Sequence, residues 1–414
     1  MSDPDGSATA DAPAPLDRVE RLHATPHRTV FAFAGAGSRV LAWLHAVGGS
    51  SRTVLEAHDH YHAASLREAL GREPDPAVSP EVAIDLARRS HARALRLVAS
   101  DAVPGPVFGL GLTATIATDR VKRGEHRAEI ASADGLGVRR VGIELAKGVR
   151  DRAGEEGILG RWLLQLAAEA SGLQGWAEPE LGPDDELQSA FVPSPVFAAF
   201  VDDPEAVLWI DADGRPGGRE GAEAPPALVS GSFHPMHAGH RRLAEAAEAL
   251  LGRPVAFEMA LSNAEKDPVT PAAARTRAAQ AYGVRSIVLT HAPLFADKAE
   301  RLPGVTFVVG ADTARRVLEP RFYGGAAELT RAFERIREAG ARFLVAGRAG
   351  EEGFRTLSDL GVPATFEDLF EPLPAFRVDL SSTELRAAWP EDGAAADDAS
   401  ADEAPPGDAP ADAG

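Results

Sequence analysis

Cysteine is absent from all 414 residues, which excludes disulfides, thiol nucleophiles and cysteine-ligated metal centres. No apolar run approaches the roughly 20 residues that a membrane-spanning helix needs. The first 15 residues are polar and rich in Ala, Asp and Pro, without the apolar core of a secretory signal, so a cytoplasmic protein is expected. Basic residues are also short in supply: 43 Lys and Arg stand against 62 Asp and Glu, a net charge of −19. Eight of those acids fall in 391–414, which holds no Lys or Arg; the rest of the chain still carries −11. So acidic a body argues against extended nucleic-acid binding. The Ala/Asp/Pro tail is expected to be disordered.

Against these absences, 44% hydrophobic content is enough for real cores, and the length calls for more than one domain. Near the middle stands Leu228-Val229-Ser230-Gly231-Ser232-Phe233-His234-Pro235-Met236-His237-Ala238-Gly239-His240. The short apolar run before Gly231 reads as a buried strand, and Gly231-Ser232 as a turn able to approach a ligand closely. From Gly239 onward the pattern is that of an amphipathic helix ended by Gly252. His237 and His240 are three apart, so one helical turn can present both imidazoles at a helix N-terminus. There, free backbone N–H groups and the helix dipole attract anions. Near the end stands a second such entrance, Leu380-Ser381-Ser382-Thr383-Glu384-Leu385-Arg386. Two such sites converging on one triphosphate would make a nucleotidyltransferase.

Taken together, the two motifs resemble the HxGH nucleotidyltransferase superfamily, which includes the class I aminoacyl-tRNA synthetases. The resemblance covers about residues 225–388. The Ser-Ser-Thr form of the second motif is similar to that of adenylyl-transferring branches. Phe307-Val308-Val309-Gly310-Ala311-Asp312-Thr313 looks like the corresponding segment of nicotinamide-mononucleotide adenylyltransferases. By that resemblance His237, His240 and Arg386 are catalytic. Gly231, Ser232, Phe233, Gly239, Lys266, Gly310, Asp312, Ser381, Ser382 and Thr383 bind nucleotide or phosphate. Two of these keep a plainer alternative: Asp312 as a helix N-cap and Lys266, which follows Asn263, as a solvated surface lysine. His234 departs from relatives that carry Asp or Asn after the aromatic residue. Apolar runs at 254–260, 285–290, 305–309 and 342–346 alternate with helical stretches, predicting a doubly wound parallel sheet.

The first half reads as a separate α/β unit. Around Gly49-Ser50-Ser51, Tyr61 and Val78-Ser79-Pro80-Glu81-Val82-Ala83 it looks like the CinA C-terminal domain, the nicotinamide-mononucleotide amidase fold. The family's nucleophilic serine aligns with Ala34 and its lysine with Leu66, and its glycine-rich loop is replaced by Gly111–Thr118. With nucleophile and lysine absent the unit is expected to be inactive, Ser38 being the alternative nucleophile. His58, His60 and His62 would share one face of a strand. Three imidazoles could bind a divalent metal, but no fourth ligand is evident, and a polar strand end fits as well; no metal site is assigned.

The expectation is thus two α/β domains, the C-terminal one a Rossmann-like nucleotidyltransferase. Residues 1–25 are expected to be disordered, 26–172 amidase-like, 173–225 a connector with a hairpin in Val196–Ile210, 226–388 the transferase, and 389–414 a disordered acidic tail. The expected reaction moves AMP from ATP, with Mg²⁺, to a small phosphorylated acceptor, nicotinamide mononucleotide being favoured. No nucleic-acid or membrane partner is expected, and self-association is left open. Another phosphorylated acceptor, an ATPase, or a non-catalytic nucleotide sensor are the alternatives.

Overall fold

The computed structural model describes residues 14–120, 123–217, 226–262, 267–350 and 353–378. The first half runs α1 (Leu16–His23), β1 (Arg28–Ala34), α2 (Ser38–Ala46), β2 (Val54–Asp59), α3 (Ala63–Leu70), α4 (Pro80–Val98), β3 (Val107–Thr115), β4 (His126–Ala133), β5 (Gly137–Leu145), α5 (Arg152–Ala170) and β6 (Glu186–Pro193). Its six strands lie in the order β2-β1-β3-β4-β5-β6, parallel from β2 to β3 and antiparallel from β3 to β6. The long helices begin where the sequence supplies caps. Ser79 accepts from Val82 N ahead of Pro80, and Asp151 accepts from Gly154 N.

The first correction concerns residues 1–25. Leu16–His23 is a helix, and Val19 and Leu22 are fully buried. His23 joins them, its Nδ1 at 2.7 Å from Thr53 Oγ1 and its Nε2 at 2.9 Å from Leu44 O. Burial of one apolar stripe holds a helix this short, which propensity alone would not.

The second half continues with α6 (Pro195–Asp202), β7 (Val207–Ile210), β8 (Pro216–Gly217), β9 (Ala227–Ser230), α7 (Ala238–Leu251), β10 (Val255–Ala260), α8 (Pro271–Ala279), β11 (Ile287–Thr290), α9 (Phe295–Arg301), β12 (Thr306–Gly310), α10 (Ala311–Val317), α11 (Ala326–Glu338), β13 (Arg342–Gly350), β14 (Gly353–Arg355) and β15 (Phe370–Val378). The sheet order is β14-β13-β12-β9-β10-β11-β7-β8, with β15 also paired to β13. Strands β11, β10, β9, β12, β13 and β15 are parallel. The chain leaves β9 for one side of the sheet and later returns to the other through β12. The switch point, where such sheets bind ligands, therefore lies between the carboxyl ends of β9 and β12.

Of the expected connector 173–225, the described residues 173–217 do not stand apart from the two sheets. β6 closes the first sheet, while β7 and β8 form a hairpin on the edge of the second. That hairpin spans 207–217, and the start of the expected Val196–Ile210 hairpin is helix α6 instead. The halves meet over a buried ion pair, Arg275 Nε to Asp134 Oδ2 at 2.5 Å, with Arg275 Nη2 also donating to Ser132 Oγ at 3.1 Å. Breaking such a pair from one side leaves a buried charge uncompensated, at about 3–5 kcal/mol. Among the described residues no helix is long and apolar enough to cross a membrane.

Candidate active site

Strand β9 delivers the chain to the switch point at Ser230. The next residue must be glycine: a Cβ on Gly231 would sit 2.9 Å from Phe233 Cε1. Its N–H donates to Glu258 O at 3.0 Å, which pins the turn to β10. Phe233 follows in a left-handed conformation, φ 47°, that costs a non-glycine residue free energy. Burial offsets that cost. Phe233 is fully buried, and its ring meets the edges of Phe257 at 5.3 Å and His240 at 5.1 Å. Phe233 was expected among the ligand-contacting residues; its side chain instead lies beneath His240, with no surface to offer a ligand.

Two glutamines hold the loop, and the sequence reading missed both. Gln280, just after α8, accepts from Met236 N at 2.8 Å and donates to Phe233 O at 2.8 Å. Gln174, from the stretch after α5, accepts at Oε1 from His234 Nδ1 at 2.8 Å and donates to Phe233 O at 3.5 Å. The departure at His234 thus has a structural counterpart, since a side chain from outside the transferase sheet anchors it. Only the density of backbone polar groups in the seven-residue loop 231–237 hinted that such partners were needed.

His237 is the N-cap of α7. Its Nδ1 accepts from Gly239 N at 3.1 Å, and its own N–H donates to His240 Nδ1 at 3.2 Å. The two rings lie 3.9 Å apart, inclined by 31°. Each Nδ1 is an acceptor, so each neutral ring carries its proton on Nε2. The arrangement presets two imidazole donors of one tautomer at a helix N-terminus, where the dipole already favours negative charge. Gly239 is buried in the first turn and Ser232 is exposed.

Across the switch point, β12 ends at Gly310, which is itself the N-cap residue of α10. Asp312 therefore lies one residue inside the helix, and the N-cap alternative for it does not hold. Beneath the site, Glu258 accepts from Lys298 Nζ at 2.7 Å and from Thr290 Oγ1 at 2.9 Å, all three buried. That network ties β10, β11 and α9 under the turn. Lys266, Asn263, Ser381, Ser382, Thr383 and Arg386 lie outside the described residues.

Residues 228–388 match the family described as cytidylyltransferase-like. The second half thus carries a nucleotidyltransferase-type domain of the HxGH superfamily, and the β9–α7 turn described above falls within the matched residues. No curated protein matches the chain. Solved structures similar to it include competence/damage-inducible and CinA-superfamily proteins. A competence/damage-inducible protein from Agrobacterium tumefaciens is 18% identical, covering 36% of this chain and 92% of that one at a TM-score of 0.29. A CinA superfamily protein from Escherichia coli is 16% identical, covering 40% and 92% at 0.30, and one from Enterobacter cloacae 15%, covering 41% and 98% at 0.30.

In the first half, the positions aligned with the amidase nucleophile and lysine, Ala34 and Leu66, sit together in one buried apolar cluster with Ala32, Leu70, Val82 and Leu86. The hydroxyl of Ser38 donates to Glu156 Oε1 at 3.0 Å. Tyr61 is 70% exposed. His58 and His60 stack at 6.0 Å, while His62 accepts from Ala64 N as the cap of α3, so the three imidazoles do not act as one set. Among the described residues no group of three His, Asp or Glu side chains could hold a metal ion.

Proposed function

We propose that the transferase half moves AMP from ATP to the phosphate of a mononucleotide, with nicotinamide mononucleotide the favoured acceptor, in a cytoplasmic setting. An oxygen of the acceptor phosphate attacks the α-phosphorus of ATP. The bond to the oxygen bridging α and β breaks, and pyrophosphate leaves with that electron pair. The attacking oxygen is already ionised, so no protein base or nucleophile is required. Charge develops on the α-phosphoryl oxygens and the leaving pyrophosphate. His237 and His240, each bearing its proton on Nε2, are the donors for it, without covalent chemistry. Ser382, Thr383 and Arg386 would hold the β- and γ-phosphates. Mg²⁺ would arrive on those phosphates and neutralise their charge.

The observation that carries the reading is the locked imidazole pair at a helix N-terminus on the switch point. The adenylyl assignment rests on Ser381-Ser382-Thr383 in the sequence, and the acceptor on the Gly310-Ala311-Asp312 segment. The first half is proposed to be catalytically inactive, on the apolar cluster at Ala34 and Leu66. The test is pyrophosphate release by the full chain, with ATP and CTP each paired with nicotinamide mononucleotide, phosphopantetheine, sugar phosphates or no acceptor. ATP with the mononucleotide should give the highest kcat/KM. Preference for CTP would overturn the adenylyl assignment, and release without acceptor would favour an ATPase. Full absence of turnover, with ATP still bound, would favour a nucleotide sensor.

A further inference from the structure

The first half holds a cavity of about 650 Å³ between strands β1 and β2 and helices α3 and α4. That size suits a small organic molecule. Its floor is apolar, formed by Val30, Ala32 and Leu86. It lies toward the start of β1 from Ala34 and Leu66, neither of which lines it. Its rim is cationic. Arg89, Arg93 and Arg96 stand on α4 at spacings of four and three, so one helix face carries all three guanidiniums.

Among the described residues that line the cavity, one carboxylate answers them. Glu56 is gripped by Arg93 through bonds of 2.9 and 2.5 Å and touches His58 Nε2 at 3.0 Å. The Arg93 guanidinium holds this carboxyl down at about 2, so it stays ionised throughout the working range. Glu56 cancels one guanidinium and leaves two, in a protein whose net charge is −19. Arg89 is oriented by Leu70 O at 2.5 Å, and that carbonyl removes none of its charge. A further polar group lines the same cavity. Ser90 is only 3% exposed, and its hydroxyl has no hydrogen-bond partner among the described residues. A buried hydroxyl left this way is unfavourable, and an incoming oxygen would relieve it.

We propose that this cavity binds a small organic phosphate. Its carbon part would lie on Val30, Ala32 and Leu86, and its dianionic head between the Arg89, Arg93 and Arg96 side chains. A phosphate suits the rim better than a carboxylate does. Two uncancelled guanidiniums match a charge of two, and planar N–H forks pair with phosphate oxygens in twos. The inference does not depend on the transferase reading, because none of its residues belongs to the second half.

The test is calorimetric titration of the full chain with phenyl phosphate, inorganic phosphate and benzyl alcohol. Phenyl phosphate should bind most tightly, inorganic phosphate more weakly through the rim alone, and the neutral alcohol not measurably. Replacing both Arg89 and Arg96 by alanine should weaken phenyl phosphate by at least about tenfold, since each lost charged hydrogen bond is worth that much. Ser90→Ala, the milder change, should weaken it a few-fold. Thermal unfolding checks that each variant folds. His240→Ala should leave this binding unchanged. The proposal is overturned by no binding of phenyl phosphate, by binding that survives the double variant, or by binding lost with His240→Ala.

Discussion

Each half leads with a parallel strand that turns through glycine into a helix, β1 into α2 and β9 into α7. Both helix entrances present backbone N–H groups and a favourable dipole at the carboxyl edge of a sheet. In the first half the chain supplies its own anion. Glu156 Oε1 accepts from Gly37 N at 2.8 Å, Ser38 Oγ at 3.0 Å and Arg39 N at 3.2 Å. The same turn of α5 secures the neighbouring loops. Arg152 donates to Gly35 O and Ala117 O, and Glu155 accepts from Ala117 N and His126 Nδ1. Gly35 is pressed against the sheet, where a Cβ would come within 2.1 Å of Ala114 O. In the second half the entrance of α7 is capped by imidazoles instead, His237 Nδ1 accepting from Gly239 N and His240 Nδ1 from His237 N. One polarity of site thus has two outcomes. A helix entrance that has internalised an anion is structural; on the proposed function, the imidazole-capped one takes its anion from solution.

The comparison breaks most sharply at His240. His240→Ala should lower kcat/KM for nucleotidyl transfer by about 100- to 1,000-fold with the fold intact, as for loss of one preorganised donor. Steady-state pyrophosphate release beside a circular-dichroism melt measures both, and near wild-type turnover would remove the site assignment.

The seam between the halves gives a pH signature. His27, its ring 6.0 Å from that of Tyr282 in the other half, has its pKa lowered by burial to about 4 from 6.5, and neither ring nitrogen has a hydrogen-bond partner among the described residues. Above pH 6.5 the ring is neutral whether folded or not, and its contribution is constant. Between 6.5 and 4 only the unfolded chain takes up the proton, so stability falls as pH falls, by at most about 3 kcal/mol. Denaturation of wild type and His27→Leu at pH 7, 6 and 5 should show the wild type losing ground to the variant. Parallel curves would mean the ring is not held neutral.

The glutamine clamp sharpens the comparison, because it serves the open entrance alone. Gln280→Met keeps the bulk but loses the bonds to Met236 N and Phe233 O. It should cut kcat by roughly 10- to 100-fold while leaving KM for ATP within a few-fold, as for a misplaced donor. A rise in KM with kcat unchanged would show that Gln280 binds substrate instead of positioning the loop.

The smallest effect belongs to the closed entrance. Glu156→Ala strands three donors and should destabilise the first half by about 1–3 kcal/mol with transfer unaffected. Trp43 and Trp162, both in that half's core, report it by fluorescence. Equal stability would show that solvent replaces the carboxylate at no cost.

Much of this was readable in advance where one chemical pattern decided the outcome. The β9 turn and α7 follow from an apolar run, glycine and imidazoles at helical spacing. Strands β1 to β5 and β9 to β13 follow from apolar runs between turns. What escaped depended on partners far along the chain. α1 lies beside a polar terminal stretch, and only Val19, Leu22 and His23, meeting the core, hold it in place. In β6, Glu-Leu-Gln-Ser carries no apolar alternation, because an edge strand is half exposed. Gln174, Gln280 and Glu156 are polar side chains whose roles are set by the loops they reach. Nothing in their own neighbourhoods announces that.

The division of 173–217 between the two sheets bears on how the protein can be cut. A fragment ending at 172 would strip the first sheet of β6, and one starting at 226 would strip β11 of β7. Either truncation bares a row of main-chain N–H and C=O groups along a strand that was interior, a template for intermolecular pairing and precipitation. Among the described residues, the stretch between β6 and β7 that belongs to neither sheet is 194–206. Even there Phe197 and Phe200 are buried in the transferase core. A clean excision of the transferase would therefore begin at Ser194, with α6 retained.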